Sequence, residues 1–247
     1  MSPLALIGAA LIGLSLGLTG AGGSIITLPV LVYLAGVAPR EAVGLSLFIV
    51  GTAALVGAIM RWHSGEVHGR AVLMFSSSGM VGAAFGSHLT QAVPPHVLMM
   101  CFAALMLIVA VNMLRGGGRK DVSEAECRPL RCLGAGFAVG VLTGFIGVGG
   151  GFLLVPALVK FARLPLGVAT GTSLAVIAFN SYAGFFSHYG EAPARWPLAL
   201  TFAGLAAIGV VAGTRFAKRL PAVILRRGFA VLVLITGGFV LWQNWPR

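Results

Sequence analysis

A chain of 247 residues with 58% hydrophobic residues, 9% charged residues and a mean hydropathy of +0.98 lies outside the make-up of a soluble globular domain, so a membrane protein is expected. The formal charge of +11 does not mark a nucleic-acid surface, because the 17 Lys and Arg residues fall in short gaps between apolar stretches. Cys101, Cys127 and Cys132 offer neither a disulfide framework nor enough ligands for zinc, and read as incidental.

A bilayer crossing takes about 20 mostly apolar residues. The first apolar stretch, 3–36, is interrupted by GAGGS (20–24). It has no basic leader and carries a motif that returns later in the chain, so it is read as part of the membrane unit and not as a cleaved signal. Plain apolar stretches follow at 42–60, 71–95 and 97–114, then the polar, glycine-rich linker RGGGRKDVSEAECRPLR (115–131), expected to be mobile. Beyond it the order returns: 133–159 interrupted by GVGGG (147–151), then 164–190, 196–214 and 220–246, the last interrupted by Arg226 and Arg227.

The return is a true repeat. One offset, 127 residues, holds without a gap from Gly17–Met113 to Gly144–Val240, with about a quarter of the pairs identical. Gly17, Gly20, Gly22, Gly23 and Pro29 match Gly144, Gly147, Gly149, Gly150 and Pro156. Ala42, Gly44, Ser46 and Leu47 match Ala169, Gly171, Ser173 and Leu174; Gly57, Gly82, Gly86 and Pro94 match Gly184, Gly209, Gly213 and Pro221. The expected organisation is a first membrane repeat at 1–114, a cytoplasmic linker at 115–131 and a second repeat at 132–247.

Whether each interrupted segment crosses once or turns back is decided by the basic residues. A single crossing puts nine on one side and eight on the other, which is no bias. A hairpin gathers Arg61, Arg70, Arg115, Arg119, Lys120, Arg128, Arg131, Lys160, Arg163, Arg215, Lys218, Arg219, Arg226 and Arg227 on one side against Arg40, Arg195 and Arg247 on the other. Fourteen against three satisfies the positive-inside rule, placing both termini outside the cytoplasm. A hairpin plus three crossings ends each copy opposite to where it began. The expected fold is therefore an all-α polytopic membrane protein of two inverted-topology repeats, each a broken helical hairpin plus three transmembrane helices, a recurring plan of secondary transporters. Trp62, Trp196, Trp242 and Trp245 fall near expected helix ends, where indoles favour the interface.

In this arrangement one glycine tip enters from each face, and the two could meet at mid-depth. Glycine lets main-chain N–H groups converge on a ligand, and the half-helix after each tip points its positive end there, so an anion could be held without a buried Lys or Arg. The expected substrate-binding residues are Gly20, Gly22, Gly23 and Ser24 of the first tip and Gly147, Gly149, Gly150 and Gly151 of the second. Ser46, Thr172, Ser173 and Asn180 on the helices that follow are hydroxyl and amide donors suited to an oxyanion, although Ser and Thr also bond their own helix. Gly79, Gly82, Gly86, Gly209 and Gly213 have a helix-packing spacing. His88 and His188 lie near segment ends and read as interfacial. All six acidic residues fall in loops or at helix ends, which speaks against a cation substrate. No Walker sequence, catalytic cluster, metal site or cofactor motif is apparent, so neither ATP-driven transport nor an enzyme is expected.

The pairs GVGGGFLLVPAL (147–158) with ATGTSLAVI (169–177), and GAGGSIITLPVL (20–31) with AVGLSLFIV (42–50), resemble the sulfite exporter TauE/SafE family over nearly the whole chain. The resemblance implies transport of a small sulfur-containing anion, sulfite or an organosulfonate, across the bacterial inner membrane. An anion channel or a scaffold subunit without its own transport activity are the other readings; the oligomeric state stays open. The copies differ at Ser24 against Gly151 and Leu45 against Thr172, so the two halves of the site are not expected to contribute equally.

Overall fold

The structure is a computed structural model and describes residues 3–90, 129–146, 151–187 and 196–243, together with 100, 103–104, 106–108, 110–111 and 114. Among the described residues all regular structure is helical: α1 (Pro3–Thr19), α2 (Gly23–Pro29), α3 (Pro39–His63), α4 (Gly69–Thr90), α5 (Pro129–Ile146), α6 (Gly151–Phe161), α7 (Leu166–Ser187), α8 (Trp196–Ala217) and α9 (Ala222–Gln243). The described residues between 103 and 114 are helical too and pack on α9, where Gly237 faces Met106 and Ala103. Among the described residues three stretches are long and apolar enough to cross a membrane unaided: Glu41–His63, Leu166–Phe186 and Trp196–Ala217.

The first interrupted segment is a hairpin. Gly8 of α1 faces Val30 and Leu34, whereas Gly23 faces Ile12 and Leu16, so α2 runs back along α1. The Pro29 ring cannot supply an N–H, and the helix beyond it widens into a π-helical turn, Val30–Leu34, closed by Ala35 N–H on the Val30 carbonyl at 3.0 Å. Gly23–Leu34 spans ~18 Å and Gly151–Phe161 ~16 Å at 1.5 Å per residue, about half of a ~30 Å hydrocarbon core. Each arm can reach mid-depth and no further. Both end in the same cap: Val37 N–H bonds the Leu31 carbonyl at 3.0 Å and Leu164 N–H bonds Leu158 at 3.3 Å, with a left-handed residue before each, Gly36 (φ 64°) and Arg163 (φ 51°).

The 127-residue offset also governs how helices pair. α1 lies parallel to α8 and α4 parallel to α5, and the contacts are images of one another. Gly13 meets Ala206, and its repeat-mate Gly140 meets Gly79. Gly209 meets Ala10 and Leu14, and Gly82 meets Phe137 and Val141. In each case the neighbour is backbone, so the glycines expected from their spacing to serve packing do so at Gly79, Gly82, Gly209 and Gly213. Between these pairs α3 and α7 pack antiparallel, with Gly57 on Leu174 and Gly184 on Leu47, again one contact and its image.

Direction along α8 settles the hairpin against a single crossing within the chain. Gly57 faces Val210 and Ser64 Oγ accepts from Lys218 Nζ at 2.8 Å, so α3 runs parallel to α8, as α1 does. α1 and α3 thus point the same way, which only a turned-back first segment allows. The centre is filled by Ile12, Leu16, Leu45, Ile49, Phe75, Leu158, Leu174, Ile177 and Phe202, while Leu4, Ile7, Leu11, Leu200 and Ile208 lie exposed on the outer faces of α1 and α8. Trp62, Trp196 and Trp242 are exposed at helix ends. Cys132, read as incidental from sequence, is disulfide-bonded, which corrects that reading.

Gly13→Ala should lower the melting temperature of the purified protein in detergent, since its Cβ would strike the Ala206 backbone, at a cost of about 1–3 kcal/mol. Gly204→Ala on α8, with nothing within 4 Å, should melt at or above the wild type. Arg163→Gly should also raise it, by relieving roughly 1 kcal/mol of left-handed strain.

Candidate functional site

A helix that stops inside the protein leaves its last carbonyls and the next helix's first N–H groups without partners, and lipid offers none. At the first tip the chain supplies them itself. Gly20 N–H returns to the Leu16 carbonyl at 2.7 Å, while Thr19 Oγ1 donates to Ser15 O at 2.7 Å and accepts from Gly22 N–H at 2.8 Å. Gly20 turns the corner with φ 76°, and a Cβ there would fall 2.7 Å from the Thr170 carbonyl and 2.8 Å from Ser173 Oγ. Gly23 is demanded by its approach to Ile12 and Leu16. The Gly20 and Gly22 N–H groups are thus engaged inside the tip.

The tip is docked on the other copy. Ser173 Oγ lies 2.8 Å from both the Gly20 and Thr170 carbonyls and donates to them. Ser24 is buried, donates to Ala21 O at 2.9 Å, and lies beside its own repeat-mate: its Oγ would be 2.9 Å from a Cβ on Gly151, with Ile177 closing the other side. The starts of α2 and α6, one from each copy, thus meet. Gly147, Gly149 and Gly150 lie outside the described residues.

The remaining expected residues are dispersed. Ser46, half-buried, donates to its own helix at Val43 O, 2.7 Å. Thr172 is one helical step, ~100°, from Ser173 and faces elsewhere: its Oγ1 accepts from His68 N–H at 3.0 Å, pinning the segment between α3 and α4. Asn180 stands ~10 Å along α7 from Ser173, its Nδ2 3.5 Å from a Cβ built on Gly79 and its buried Oδ1 without a partner. The first tip, Ser24, Ser173 and Gly151 come together; Ser46, Thr172 and Asn180 do not join them.

An interior free of buried cations is also corrected. Arg61, counted with the loop charges, lies in the last turn of α3 and is 3% exposed. Its Nη1 donates to Glu66 Oε2 at 2.9 Å and reaches Gly167 O at 3.5 Å, and its Nη2 donates to Gly17 O at 3.2 Å. The guanidinium thus satisfies a carbonyl in the last turn of α1, next to the break. A hint lay in the sequence: Glu66 is the single acid between α3 and α4, five residues on, and the register pairs Arg61 and Glu66 with His188 and Pro193, so the ion pair belongs to the first copy alone.

The family model for sulfite exporter TauE/SafE proteins matches residues 5–240, both copies and the linker between them. The chain belongs to the sulfite exporter TauE/SafE family. A probable membrane transporter protein of Xylella fastidiosa is 34% identical over 242 residues, covering 95% of this chain and 93% of that protein. The probable membrane transporter proteins YunE and YdhB of Bacillus subtilis are 25% and 24% identical, covering 85% and 94% of this chain and 83% and 97% of their own length. No solved structure matches. This TauE/SafE protein is a membrane transporter by family, and the match extends across both tips and both inter-copy helix pairs.

Thr172→Val should leave the His68 N–H unpaired, costing about 1 kcal/mol or more, and should speed amide hydrogen exchange across 64–68 while Thr172→Ser does not.

Proposed function

We propose that this TauE/SafE protein is a secondary transporter moving a sulfur-containing anion, sulfite or an organosulfonate, across the bacterial inner membrane by alternating access. The observation that carries the reading is the contact of Ser24 with Gly151, where two half-helices from the two copies begin against each other in the buried centre. The proposed substrate site is made of Gly20, Gly22, Gly23, Ser24 and Ser173 with the second tip Gly147, Gly149, Gly150 and Gly151, while Ser46, Thr172 on another face of α7 and Asn180 about 10 Å along it line the approach. The family name supplies the class of anion.

The inverted arrangement is supported by α3 and α7. They are repeat-mates and pack antiparallel, so if both cross the bilayer the copies are upside down relative to each other. Fourteen of 17 basic residues then face the cytoplasm, with the linker and the 64–68 segment, and both termini face outward. The disulfide at Cys132, beside the linker, pulls against that side assignment because the cytoplasm keeps thiols reduced. The charge asymmetry and the helix directions agree with each other, and they outweigh it.

In proteoliposomes the purified protein should take up labelled sulfite or sulfoacetate, with trans-stimulation by the same anion, and should discriminate against chloride. Gly151→Val, which drives a side chain onto Ser24 and Ile177, should reduce that flux at least tenfold. Absence of flux for every sulfur oxyanion in the wild type would end this reading.

A further inference from the structure

Arg61 is the costliest side chain to bury in the described interior, and capping α1 explains only part of it. A guanidinium has five N–H groups. Glu66, Gly167 and Gly17 occupy three of them, leaving one on Nη2 and the adjacent Nε–H; Nε is buried and has no partner. Across the α3/α8 contact, where Gly57 faces Val210 and Ser64 faces Lys218, the residue level with Arg61 is Thr214. It is 1% exposed and its Oγ1 also has no partner. Thr19, Thr27, Thr52, Thr143, Thr170 and Thr201 all donate to their own helix; Thr214 does not. Gly17 joins the two, its carbonyl on Arg61 Nη2 and its Cα face against the Thr214 backbone, where a Cβ would lie 2.9 Å from Thr214 N.

We infer that Arg61 and Thr214 form a second oxyanion-binding position, beside the last turn of α1, where the transported anion is held. The inference rests on the transport reading above for its direction, not for its chemistry. Two adjacent guanidinium N–H groups and a hydroxyl suit a small oxyanion that presents two oxygens. Glu66 is the stand-in. Its carboxylate neutralises Arg61 from the 64–68 segment, which is fastened across the other copy by His68 N–H on Thr172, by Lys218 on Ser64, and by the Glu66 carbonyl against Gly171. When that segment withdraws it carries the carboxylate away from Nη1 and leaves the guanidinium charge uncompensated, so that an oxyanion is held at the Nη2 and Nε N–H groups beside Thr214.

Thr214→Val is the decisive variant, because removing a buried hydroxyl with no partner should leave the fold as stable or more so. Sulfite-dependent thermal stabilisation of the purified protein and sulfite flux in oriented proteoliposomes are measured together. The half-saturating sulfite concentration should rise about tenfold for Thr214→Val in the thermal shift, and in flux it should rise at the face bearing Arg61 and not at the other. Arg61→Lys, which keeps the charge and can still reach Gly17 O, should act in the same direction. Gly151→Val should lose flux yet keep its sulfite-dependent stabilisation, so failure of the tip site and failure of this one read differently. Thr214→Val with wild-type half-saturation in both measurements overturns the assignment, even if the wild type carries no flux.

Discussion

The structure depends on one constraint: a helix has been stopped inside the bilayer, and the polar ends of the break have to be met by protein. α1 ends at Thr19 and α2 starts at Gly23, with Gly20 in the left-handed region between them. The described partners of that break come from the tip itself, from α3 of the same copy and from α7 of the opposite copy. Leu16 and Thr19 serve the tip from within; Ser173 reaches the Gly20 carbonyl from α7, and Arg61 reaches Gly17 from α3. The break is stable only while α1, α3 and α7 stay together. That makes it both a structural keystone and a place where a shift of one copy against the other is felt at once.

The second copy repeats the contacts but not the chemistry. Where α3 and α7 cross, the end near Phe48 is closed by aromatic rings: Phe48 stacks with Phe185 at 5.5 Å and with Trp196 at 5.7 Å, and Thr52 and Tyr182 hydroxyls meet at 3.1 Å. The images of Phe48, Phe185 and Trp196 are Ala175, Ala58 and Gly69, too small to close anything. That opposite end is closed by the 64–68 segment with Arg61 and Glu66. One backbone plan therefore carries an apolar seal at one end and a polar latch at the other. An apolar seal opens by separating surfaces, whereas a polar latch opens only when something replaces its hydrogen bonds.

Much of this was legible in the residues, and the reason is periodicity. An ungapped offset pairs Gly13 with Gly140 and Gly82 with Gly209, and because close helix contacts tolerate no Cβ, those glycines mark where backbones touch. The hairpin was legible because charge sidedness is a sum over many residues, robust to any one of them. What escaped was single-residue geometry. Counting Arg61 among loop charges is correct for sidedness and wrong for burial, since a side chain in the last turn of α3 can lean into the protein or out of it. Thr172 and Ser173 are neighbours in sequence, yet ~100° of helix rotation sends one to the His68 N–H and the other to the Gly20 carbonyl. At the first tip the space that Gly20 and Gly23 save is taken by the protein's own backbone, a use that composition alone does not reveal.

On the transport reading proposed above, these contacts bear on where an anion would be held. A site made only of tip N–H groups would be neutral and would depend on helix dipoles, whose effect fades within one turn. With the Gly20 and Gly22 N–H groups spent internally, the first tip offers the close contact of Ser24 with Gly151 and not a full coordination shell. The formal positive charge lies beside the last turn of α1, on Arg61, partly cancelled by Glu66. A fully compensated cation would attract nothing and a bare one would trap its ligand. On the inference drawn above, a guanidinium that shares a carboxylate carried by the 64–68 segment does neither, because its charge becomes available only when that segment withdraws.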